Sequence, residues 1–382
     1  MSGFKNILAK MREAIDNPRK VISDFENRTG KKAVGCFPPY VPEEIIHAAG
    51  LLPVGLWGGQ VELNRVRAVL PAFACSIIQS IKEFEMKGEY DRLAAVVVPS
   101  SCDTLKAIGQ KWSRAEVPCL QFVHPHNRSL AAAKEFLRGE YQHIRMQLEA
   151  ITGEAITDDA ISHSILIFNR HRQAMREFSQ AAAGHPQIID ALTRHQVYKS
   201  AFFMEKEAHT SLVRELTELL NQEPVQPWQG IKAVVSGIML EPDSVLEVFR
   251  DLNIAVICDD LVQESRQYRV DVSEEGEPLD CLAGMWQEMY GCSLAYEKEK
   301  SRVLMLRDMK EEYGADAVII AMMKFCDPEE FDYPIIKKNM ETYGIPLLQI
   351  EVDQQMQSTE QVRTRLQSFA EMIAQNAASS MS

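Results

Sequence analysis

No two of the eight cysteines (Cys36, Cys75, Cys102, Cys119, Cys258, Cys281, Cys292 and Cys326) stand in a CxxC pair. That excludes zinc fingers, thioredoxin-type redox motifs and ferredoxin runs. No apolar stretch is long enough to span a membrane, and Met1-Ser2-Gly3-Phe4-Lys5 opens without the apolar core of a signal peptide, so a cytoplasmic protein is expected. Lys and Arg number 41 against 54 Asp and Glu, a net charge of -13, and they form no cluster. A nucleic-acid partner is therefore not expected, because phosphate contacts need a basic surface. Glycine-rich phosphate loops are also missing. What remains is globular material, 382 residues with 46% apolar and 25% charged, enough for two or three domains. In a reducing compartment the cysteines are expected as free thiols, most of them buried and inert.

One stretch organises the reading: Val318-Ile319-Ile320-Ala321-Met322-Met323-Lys324-Phe325-Cys326-Asp327-Pro328-Glu329-Glu330. The apolar run has strand character, Asp327 suits a helix N-cap, Pro328 the first helical position, and Glu330 can close a capping box. Cys326 is left over, a thiol at the carboxyl end of a parallel strand, where an open α/β sheet collects ligands. The pattern recurs at Leu93-Ala94-Ala95-Val96-Val97-Val98 followed by Pro99-Ser100-Ser101-Cys102-Asp103-Thr104. Cys75 falls in the first turn of a predicted helix ending near Lys87, where the helix dipole favours thiolate. Cys258 ends another strand and rivals these three. His124 and His126 are a candidate metal pair or a polar loop, and nothing nearby completes a ligand set. Glu264-Ser265-Arg266 is a polar cluster that a surface loop explains as well as a site does. His163, His171, His185, His195 and His209 lack ligand spacing and read as surface or packing residues.

Spacing along the chain predicts an N-terminal helical lead-in (1–30), a first α/β domain (31–130), a helical segment (131–223), a second α/β domain (224–375) and a disordered tail (376–382). The fold class is α/β, with two flavodoxin- or Rossmann-like parallel-sheet domains.

At Gly35-Cys36-Phe37-Pro38-Pro39-Tyr40, Cys102-Asp103-Thr104-Leu105, Asp259-Asp260, Glu264-Ser265-Arg266 and Met322 to Glu330, the sequence resembles the 2-hydroxyacyl-CoA dehydratase and benzoyl-CoA reductase family. The likeness is greatest to the smaller (beta) subunits of its (R)-2-hydroxyglutaryl-CoA branch. The resemblance implies a [4Fe-4S] cluster held by Cys75, Cys102 and Cys326, with Ser101, Glu264 and Arg266 in the substrate or cluster environment and no catalytic residue assigned. Cys258 lies outside the family pattern. The resemblance further implies a larger alpha subunit and an ATP-dependent iron-sulfur activator as partners, an acyl-CoA substrate, and removal of water by a ketyl-radical route. Some relatives carry a flavin, which nothing in this sequence indicates. Two alternatives stand beside it: a subunit of an aromatic acyl-CoA reductase, and a non-catalytic two-domain binding protein whose cysteines are core.

Overall fold

The computed structural model describes the backbone of residues 2–380 and the side chains of residues 3–376. Two helices lead in, α1 (Ser2–Asp16) and α2 (Pro18–Thr29), broken at Asn17-Pro18 because proline has no N–H to continue a helix. The first α/β unit follows as β1 (Ala33–Cys36), α3 (Glu43–Ala48), β2 (Leu52–Gly55), α4 (Ser76–Met86), β3 (Ala95–Pro99), α5 (Asp103–Lys111) and β4 (Cys119–Phe122). The helical segment is α6 (Ala131–Thr152), α7 (Asp158–Ala183), α8 (Ala191–Ser200) and α9 (Lys206–Gln222). The second unit contains β5 (Ile231–Gly237), α10 (Asp243–Asp251), β6 (Ile254–Leu261), α11 (Pro278–Glu288), α12 (Ser301–Glu312), β7 (Ala317–Met323), α13 (Asp327–Thr342), β8 (Leu347–Val352) and α14 (Glu360–Ser380).

Both sheets are fully parallel and share one connectivity, β2-β1-β3-β4 and β6-β5-β7-β8. Side chains alternate between faces, as the two-residue period of a strand requires. Val96 and Val98 of β3 join Val235 and Ile319 of the second sheet in one core that also holds Ile77, Ile81 and Phe249. Ala95 and Val97 face the opposite way, against α6 and α11. Strands covered on both faces read as continuous apolar runs, which is why these were legible. Helix α14 continues to Ser380. The segment 376–380 is therefore helical where its composition predicts disorder, because extending a helix is easier than nucleating one. Residues 381–382 of the predicted tail lie outside the described residues.

A buried polar strip ties the units together. Gln354 donates through Nε2 to Trp57 O and Glu241 Oε2 (2.8 Å each), and its backbone N–H donates to Ser76 Oγ. Glu241 Oε1 also meets His195 Nε2 at 3.2 Å, and His195 Nδ1 meets Glu264 Oε1 at 2.9 Å. Glu264 and Arg266 are thus buried rather than on a surface loop, and His195 is an ion-pair partner. Burial disfavours the imidazolium, but the hydrogen bonds to Glu241 and Glu264 win and raise His195 to about 9. A raised folded pKa stabilises fully below the unfolded value and is lost as pH climbs through the folded one. Urea stability is expected to fall by about 3 kcal/mol as pH rises from 6.5 to beyond 9, and His195→Gln should flatten that slope. An unchanged slope in the variant would refute the assignment.

Candidate iron-sulfur site

Each sheet has a switch point where its connections diverge, between β1 and β3 and between β5 and β7, and crevices open there at the strand carboxyl ends. The two crevices merge into one cleft of about 900 Å³. Pro38 and Pro39 after β1, Ser101 after β3, Ile238 after β5 and Phe325 after β7 all line it. So do Cys75, Cys102 and Cys326.

The three thiols share a local setting. Each is the N-cap residue of a helix, Cys75 of α4, Cys102 of α5 and Cys326 of α13, and none caps it through its side chain. This moves the predicted start of α13 by one residue: Asp327 is inside the helix rather than its cap. First-turn N–H groups act on each thiol, those of Ile78 and Ile77 on Cys75, Leu105 and Thr104 on Cys102, and Glu329 on Cys326, and with the helix dipoles they favour negative charge there. Phe325, just before Cys326, holds a left-handed backbone (φ 63). For a bulky residue that is strain, of the kind found at functional sites.

Helix position does not make these thiols acidic in the bare protein, contrary to the expectation for Cys75. Burial pushes Cys75 up to about 12, outweighing the N–H groups of Ile78 and Ile77. Burial likewise raises Cys102, and it raises Cys326 well above the ordinary value. The three cysteines are half-buried on the cleft wall. Cys102 raises Cys75, and both raise Cys326, so the three are near enough to feel each other's charge. At pH 8 the iron-free protein should present about a thousandfold less Cys75 thiolate than an ordinary cysteine. Its alkylation by iodoacetamide, followed by mass spectrometry, is expected to be correspondingly slow until the chain is unfolded. Labelling of Cys75 in the folded protein at the rate of a free thiol would contradict this.

Three soft thiols on the cleft wall are available as donors. Among the described residues no three His, Cys, Asp or Glu side chains approach closely enough to hold a single metal ion. An iron-sulfur cluster spreads its cysteines over separate irons, so its ligands need not converge on one point as those of a single tetrahedral ion must.

Behind α13 lies a second network. Asp260 binds Arg266 (Nε–Oδ1 2.9 Å), Arg302 (Nε–Oδ2 3.0 Å) and Arg269, and accepts from Ser236 Oγ at 2.7 Å. Glu329, three residues beyond Cys326, takes a bidentate bond from Arg302 (2.9 and 2.7 Å) and one from Ser293 Oγ (2.6 Å). It is a buried ion-pair partner. Lys300 and Asp332 pair at 2.6 Å on the cleft wall. Of the sequence-predicted environment residues, Ser101 lines the cleft, while Glu264 and Arg266 lie in buried networks and do not. Cys258 is inside β6 and packs in the core with Val318 and Leu306, away from the cleft. His126 lines the cleft, but His124 is packed on Trp286 (ring centroids 4.4 Å). No local spacing announced Lys300, the N-cap of α12, or Asp332 of α13, which line the cleft, or Arg302 of α12, which lies behind it.

The profile of the family described as 2-hydroxyglutaryl-CoA dehydratase, D-component, matches residues 38–373. The chain is 50% identical to lactoyl-CoA dehydratase subunit beta of Anaerotignum propionicum, over 98% of this chain and 100% of that one. It is 40% identical to the (R)-phenyllactyl-CoA dehydratase beta subunit of Clostridium sporogenes, again over 98% and 100%. With (R)-2-hydroxyglutaryl-CoA dehydratase, subunit beta, of Acidaminococcus fermentans it shares 35% identity over 96% and 99%.

Proposed function

This chain belongs to the 2-hydroxyglutaryl-CoA dehydratase, D-component, family and is a component of a 2-hydroxyacyl-CoA dehydratase, a hydro-lyase, and from that premise we propose that it is the iron-sulfur beta subunit. The observation that carries the proposal is the convergence of three N-cap thiols from both α/β units on one cleft. Cys75, Cys102 and Cys326 would hold a [4Fe-4S] cluster, which when bound supplies single electrons at low potential. The three thiols must each release a proton on binding metal, and the N-termini of α4, α5 and α13 are placed to stabilise the thiolates that result. Lys300 is held to Asp332 and the wall of α13 is fixed by Arg302 and Glu329, so the thiol of Cys326 rests on a rigid support.

The proposed reaction takes an (R)-2-hydroxyacyl-CoA to the (E)-2-enoyl-CoA and water through a ketyl radical, started by one electron from an ATP-hydrolysing activator. The beta-subunit relatives favour a larger alpha subunit as partner, and their identities favour a dehydratase over an aromatic reductase. The test is to co-express the chain with its alpha subunit anaerobically, add activator and ATP, and assay lactoyl-, phenyllactyl- and 2-hydroxyglutaryl-CoA. Enoyl-CoA from at least one thioester is the expected result. Iron-bearing pairs that turn over none of them, but reduce an aromatic acyl-CoA, would replace the dehydratase reading.

A further inference from the structure

Ser101 stands between β3 and Cys102 and is 2% exposed. It lines the cleft with the three thiols, and its hydroxyl has no hydrogen-bond partner. Among the described residues, the other buried side-chain N or O atoms without a partner belong to Glu83, His124, Arg128, Gln147, Arg194 and Gln263, none of which lines the cleft. A hydroxyl taken out of water and given nothing to bind is destabilising, and alanine would fill the same place without that penalty. The turn does not require it. Its neighbour Ser100 already accepts from Gln121 Nε2 at 2.9 Å. In the second unit the corresponding residue before the thiol is Phe325, which is 39% exposed. The hydroxyl is therefore an unspent donor on a residue that lines the same cleft as the thiols and adjoins Cys102.

We propose that Ser101 Oγ–H donates a hydrogen bond to sulfur of the iron-sulfur group held by Cys75, Cys102 and Cys326, and thereby raises its reduction potential. The proposal rests on the iron-sulfur reading above. Reduction adds negative charge to the sulfurs, and a donor to sulfur stabilises the reduced state more than the oxidised one. Ser101 is then a positioning and tuning residue, not a catalytic one.

The full-length chain, reconstituted anaerobically with iron and sulfide, is compared as wild type, Ser101→Ala and Ser101→Thr. Ser101→Ala should retain its iron yet show a more negative midpoint, by tenfold in the reduced-to-oxidised ratio at fixed poise, equivalent to 59 mV for one electron. Ser101→Thr, which keeps the hydroxyl, should restore the wild-type value. The reduced wild type should show an exchangeable-proton coupling in electron-nuclear double resonance that Ser101→Ala lacks. Without iron the order reverses: Ser101→Ala should melt no lower than wild type, since its missing hydroxyl had no partner. An unchanged potential and an unchanged proton coupling in iron-loaded Ser101→Ala would overturn the proposal while leaving the cluster assignment standing. Loss of one iron from that variant would also overturn it, making Ser101 a ligand. If Ser101→Ala does not load, absence of any exchangeable coupling in the wild type overturns it independently. A wild-type chain that binds no iron removes the reading beneath it.

Discussion

Cys102→Ala and Cys326→Ala are each expected to reduce the iron of the anaerobically purified chain from about four per chain to background, with loss of the brown colour, while Cys281→Ala keeps both. The contrast isolates position from residue type. Cys281 is as buried as a core residue, on α11, with its thiol 3.2 Å from Glu275 O, and it does not line the cleft. Cys102 and Cys326 come from the two switch points, one from each sheet, so removing either leaves ligands from two helices only. Because three thiols must be deprotonated together, loading should also weaken as pH is lowered. Iron measurement with visible absorption decides the matter. Full iron in Cys102→Ala or Cys326→Ala would refute the ligand assignment, and a colourless, iron-free wild type after careful reconstitution would sink the cluster itself.

Asp260→Ala is expected to destabilise the chain by about 3–5 kcal/mol, the range for removing one partner of a buried pair. Asp260 is fully buried and faces Arg266, Arg269 and Arg302. Despite burial, which alone would raise it, those arginines hold its carboxyl well below the ordinary range. Glu329 is left to balance Arg302 and, at 3.6 Å, Arg266, so Asp260→Ala leaves excess positive charge in the interior. Urea unfolding at neutral pH measures the loss. A change below about 1 kcal/mol, the level of an exposed pair, would show that this network does not depend on Asp260. Since Glu329 shares a helix with Cys326, the variant should also bind iron less tightly than wild type.

The strands of both units, the helical stretch between them and the thiol-bearing turns at Cys102 and Cys326 were legible because each is written in a local period or a local breaker. Val96 and Val98 belong to an unbroken apolar run, and Pro18 opens α2 at the first helical position, where a missing N–H costs nothing. The same local view gave Glu329 no partner and left Glu264 and Arg266 open between a loop's surface and a site. A charge is read as exposed unless its partner is known, and the partners Arg302, His195 and Asp260 come from other elements.

By itself the sequence determined the α/β alternation and the free thiol at the end of a parallel strand, since those follow from side-chain period, helix-start chemistry and the absence of paired cysteine motifs. Family resemblance singled out three of the eight cysteines, but local spacing could not have joined Cys75, Cys102 and Cys326. Only the tertiary structure decided that they face one cleft, because that depends on strand order placing two switch points opposite each other. It also decided that burial raises all three thiols where helix position alone would lower them. The N-cap position is set by a few neighbouring residues, whereas the desolvation that outweighs it is set by everything packed around the cleft.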